Sequence, residues 1–142
     1  MTRAVVLARV ERELLAAEEA LQQGKPGRAR AAARRAAGFA LEGWASRRTA
    51  HHPRPDWPRE ALARLQMAQS DPALPPAVQE AVHQLTLTVP AEYDAIERAD
   101  PEDRAEIERR IAIINRKEHV AREDSLLAAA RVVADWVAGQ MP

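Results

Sequence analysis

The sequence predicts an all-α, up-and-down bundle of four to six helices, folded as one domain over residues 1–142. Three observations predict it. Runs rich in Ala, Leu, Arg and Glu favour helix; apolar residues recur at helical spacing; and no β-branched alternation is long enough for a strand. At 142 residues the chain is long enough to bury one core. Aromatic residues supply only 4% of it, so small side chains at short range must replace large buried rings.

Residues 4–22 read as the first helix. Val6, Val10, Leu14, Ala17 and Leu21, with Leu7, fall on one stripe, and Glu11, Glu18 and Glu19 lie off it. Gly24 is suited to close that helix and Pro26 to open the next. So short a connection makes the two helices antiparallel neighbours. The second helix is expected from about Pro26 to Ser46. Ala29, Ala32, Ala33, Ala36, Phe39, Ala40, Gly43 and Trp44 share its inner face. Methyl groups there let another helix approach at the near end of the usual range, about 8 Å between axes. On the outer side Ala31, Gly38 and Ala45 recur every seven residues, with Leu41 beside them. That seam is either an accident of alanine richness or a partner contact, most simply a homodimer.

Prolines at 53, 55 and 58 make a loop of residues 49–57. Asp56 caps a third helix whose expected buried face is Ala61, Leu62, Leu65 and Ala68. After a break at 70–76, a fourth helix carries Val78, Val82 and Leu85 inward, and a short helical turn is expected over 91–98. Asp100-Pro101-Glu102-Asp103 combines a cap, a first-turn proline and acids at the positive end of the helix dipole. Ile107, Ile111 and Ile114 form the stripe of the helix that starts there. The last stripe, Leu126 to Val137, is rotated by roughly 100° from it at 3.6 residues per turn. Either the helix breaks within 116–124, with Asp124 or Ser125 capping a new start, or one long helix uses two faces.

The formal net charge is zero, but it is unevenly placed. From Lys25 to Arg59 nine basic residues face two acidic ones, and from Glu92 to Asp124 eleven acidic residues face seven basic ones. Such a distribution suits attraction of a phosphate or an acidic partner to the basic half, or of the two oppositely charged ends to each other in an oligomer. There is no cysteine, so no thiol nucleophile and no disulfide framework exist. Five glycines form no phosphate-cradling loop and no nucleophile elbow. No run is apolar enough to span a membrane and no signal-peptide core is present, so a cytoplasmic protein is expected.

Arg47-x4-His52, flanked by Arg48, His51 and Arg54, is the most specific local arrangement. Arginine holds phosphate bidentately, and a near-neutral histidine exchanges a proton with a hydroxyl. The group is therefore a candidate nucleotide or RNA site, with Arg47 and His52 catalytic if RNA is cleaved. A solvated polar loop is the alternative reading. The adjacent side chains of His51 and His52 diverge and lack further ligands at zinc spacing, so no metal and no cofactor are expected. Trp44 and Trp136 are expected in the core.

The stretch ARAAARRAAGFALEGWASRR after a Gly-Lys-Pro-Gly turn, followed by HHPRPDWPREALARL, LPPAVQEAVHQL and SLLAAARVVADWVAGQM, resembles the HEPN family. The resemblance covers most of the chain by pattern and order. It implies a four- to five-helix bundle, frequently dimeric, and in many members a nucleotidyltransferase-type partner in a toxin–antitoxin-like module. Active members are metal-independent ribonucleases with an Arg-x(4–6)-His motif, which carries over here onto Arg47 and His52 alone. This chain departs from the pattern at Arg48 and in the early position of the motif. The leading expectation is accordingly a non-enzymatic binding module; a ribonuclease toxin and a purely structural interaction bundle are the alternatives.

Overall fold

A computed structural model describes residues 2–48, 60–87, 95–96, 98–114 and 123–141. Among them the chain is all-helical, with α1 (Arg3–Gln22), α2 (Pro26–Arg48), α3 (Ala61–Ala68), α4 (Pro76–Thr86), α5 (Pro101–Ile114) and α6 (Glu123–Gln140). The all-α bundle expected from periodicity is what forms.

Local chemistry sets the first turn. Thr2 caps α1 by accepting from the Val5 amide at 3.3 Å. At the other end Gly24 takes φ +67°, and the amides of Gly24 and Lys25 donate to the carbonyls of Leu21 and Ala20 at 3.1 and 2.8 Å. That double bond pattern is the glycine-terminated helix stop, and it needs a left-handed residue at this point. Pro26 then starts α2, with the antiparallel geometry fixed by three pairs along the interface. Val6 meets Gly43, Arg9 lies 4.6 Å over the Phe39 ring, and Glu13 accepts from Arg35 at 3.0 Å.

Helix α2 is the hub, packing against α1, α3, α4 and α6. Ala29, Ala32, Ala33, Ala36, Ala37, Ala40 and Leu41 are buried along it. Each buried methyl contributes less than about 1 kcal/mol, so stability depends on many close contacts rather than a few large ones. Trp44 is buried and meets the half-buried Trp136 of α6 edge to face, centroids 5.2 Å apart at 61°. Helix α6 completes the core with Leu126, Ala130, Val133 and Val137. It runs antiparallel to α1, joined by the Arg131–Glu18 ion pair at one end and by Arg3 donating to the Met141 carbonyl at 3.1 Å at the other.

The structure corrects three expectations. Helix α3 opens at Ala61 after Glu60, with no side-chain cap bond, and not behind a capping Asp56. On α3 the inward residues are Leu65, Ala68 and Arg64, at 6% exposure for the arginine, while Leu62 is 36% exposed. The outer seam of α2 is not free for a second copy. Gly38, Leu41 and Ala45 are buried within the chain itself, and a methyl group at Gly38 would stand 3.2 Å from the Ala61 side chain of α3. Small residues on that side of α2 serve α3, and of the four seam residues only Ala31 stays exposed. The expected break at 116–124 and the turn at 91–98 fall largely outside the described residues. Asp100 does open α5, its carbonyl accepting from the Asp103 and Arg104 amides at 3.0 and 2.9 Å.

A methyl group on Gly43 would lie 2.7 Å from both γ-carbons of Val6. Gly43→Ala is therefore expected to destabilise the chain by about 1–3 kcal/mol through overpacking. Chemical denaturation checks this, and adding Val6→Ala should make the cost of the second change smaller than its cost alone.

Candidate functional site

Two of the candidate residues, Arg47 and Arg48, belong to the carbonyl end of α2, which the core holds firmly up to Ala45. Trp44 anchors that end against Trp136, and Ser46 emerges exposed one residue after Ala45. Arg47 and Arg48 occupy the last turn of α2, where cations are favoured by the helix dipole. His51, His52 and Arg54 lie outside the described residues, so the expected Arg47–His52 juxtaposition does too.

One turn before this end sits Glu42, the single acid on α2. Its Oε2 accepts from Arg64 Nη1 of α3 at 3.2 Å, and the same nitrogen donates to the Gly38 carbonyl at 3.3 Å. A buried guanidinium needs both acceptors, because an unpaired charge at such a site is costly. Glu42 thus serves the α2–α3 contact, and no other acid occurs between it and Asp56. The sequence held a signal for Arg64: it stands three residues after Ala61 and four before Ala68, on the stripe of α3 that turns inward.

Earlier on α2 the arginines have structural duties. Arg34 donates from Nε to the Leu85 carbonyl at 2.8 Å and from Nη2 to the Leu87 carbonyl at 3.0 Å, closing the end of α4. Burial, and then the neighbouring Arg30 charge, hold its pKa below the ordinary arginine value. Arginine nevertheless remains charged at neutral pH. The two carbonyls are what make that partly buried charge tolerable. Arg35 is spent on Glu13.

A cleft of about 280 Å³ opens between α1 and α2, floored by Ala16, Ala20, Ala31 and Ala32, with Arg28, Arg35 and Glu19 at its edges. His83, in the last turn of α4, is exposed with Nδ1 3.3 Å from Gln69 Oε1. Among the described residues no group of three histidine, aspartate or glutamate side chains is placed to hold a metal ion. No described helix is long and apolar enough to cross a membrane.

Comparison with family models, with curated proteins and with solved structures returned no match to this chain.

Because α3 covers Gly38, enlarging that residue tests the corrected role of the seam. Gly38→Leu is expected to cost about 1–3 kcal/mol by pushing α3 away. A thermal melt should record the loss. The solution mass, measured by light scattering, should be the same as that of the parent chain.

Proposed function

We propose that the chain is a HEPN-like, non-enzymatic helical binding module that takes a phosphate-bearing ligand, a nucleotide or RNA, at the basic end of α2 and the segment following it. A homodimer and a nucleotidyltransferase-type protein partner, in a toxin–antitoxin-like setting, belong to the same reading. The observation that carries it is the charge balance beyond Glu42. Residues 43–55 hold Arg47, Arg48, Arg54, His51 and His52 and no acid. The nearest acid on α2, Glu42, is engaged by the buried Arg64.

Binding of this kind works by neutralising phosphate and releasing counterions. Three arginines engaging single-stranded RNA give a log–log salt slope of about −2. In fluorescence anisotropy with a labelled RNA oligonucleotide, affinity is expected to fall with salt at that slope. Arg47→Ala should weaken binding and flatten the slope by about 0.7. Salt-independent or absent binding of both RNA and a nucleotide would refute the reading and leave a structural bundle. The same RNA incubated with the protein in chelator is expected to remain intact. Cleavage that His52→Ala abolishes would replace the binding reading with a metal-independent ribonuclease.

A further inference from the structure

The bundle core draws buried side chains from α1, α2, α3, α4 and α6, together with the α3–α4 connection and Met141. Among its described side chains, α5 contributes none. Of these only Ile107 and Ile111 are even half-buried, and Ile113 is 59% exposed. Among the described residues no other helix packs against it.

Its polar contacts point the same way. Arg104 pairs with Glu108 at 3.3 Å, and Glu106 pairs with Arg109 at 3.0 Å and with Arg110 at 3.6 Å. All three pairs join residues three or four apart on α5 itself, so they hold its own turns together. Its one described approach to the bundle is Arg104, whose Nη2 lies 3.2 Å from where a side chain on Gly24 would begin. That places the start of α5 beside the α1–α2 turn, at the rim of the bundle.

We propose that α5 is a detachable arm, a unit that opens and recloses on its own while α1–α4 and α6 stay folded. The free energy of a local opening follows the burial and the contacts that the opening breaks. Among the described side chains, opening α5 exposes two half-buried isoleucines and releases no buried one. Opening α2 would separate four helices. A 14-residue helix without a packed face is marginal in water, so α5 also lacks the intrinsic helix stability to resist opening. Its charged surface and internal ion pairs let it leave and return without aggregating through an exposed core.

Hydrogen exchange followed by mass spectrometry on the full chain tests this. Amides of 101–114 are expected to exchange at least about 100-fold faster than those in the middle of α2 and α6. Exchange of α5 in step with α2 and α6 would overturn the proposal. A second measurement uses Ala105→Pro, which breaks α5 from within. Its melting midpoint is expected to stay within about 3 °C of the parent, since the bundle does not depend on α5. A larger fall would show α5 to be part of the cooperative unit.

Discussion

The approach of α1 to α2 at Gly43 is the constraint on which the rest of the bundle depends. With no side chain at 43, Val6 sits where a methyl group would have to be. That proximity lets Val10 and Ala17 of α1 reach the alanine face of α2, and it sets α1 at the distance α6 needs to contact both. The same economy repeats on the opposite side, where Gly38 admits Ala61 and the guanidinium of Arg64. Helix α2 can be the hub because alanines and glycines form most of the faces it turns to its neighbours.

Two arginines, one buried and one partly buried, then do what large apolar residues do in other small bundles. Arg64 spans α3 to α2, and Arg34 spans α2 to the end of α4. Each is directional, satisfied by carbonyl or carboxylate oxygens, and so fixes how two helices are placed as well as whether they touch. A core of methyl groups alone would tolerate sliding; these cross-links resist it.

Much of this was legible in the sequence. The stripes of α1, α2, α4 and α6, the Gly24 stop and the Asp100 start all follow from local rules of periodicity and capping, and they occur where those rules put them. What sequence reasoning misassigned was the second smooth side of α2. Periodicity can identify Gly38, Leu41 and Ala45 as a contact face, but not whether α3 or another molecule fills it. Spacing puts Arg64 on the inward stripe of α3, but hydrophobicity favours Leu62, and what makes the buried arginine tolerable is Glu42 and the Gly38 carbonyl, both more than twenty residues away. The basic end of α2 was legible as charge, which is a property of composition. Its geometry beyond Arg48 lies outside the described residues.

The tryptophan pair gives the fold a built-in optical signature. Two of the three indoles, Trp44 and Trp136, stand edge to face at 5.2 Å across the α2–α6 contact. Rings that near and that inclined couple their electronic transitions, so the pair adds an exciton contribution to the circular dichroism in the strong indole band of the far ultraviolet. That contribution depends on the docking of α6 against the hub, and it is lost when those helices part even if each stays helical. Spectroscopy can therefore separate loss of docking from loss of helix in this chain without any added label.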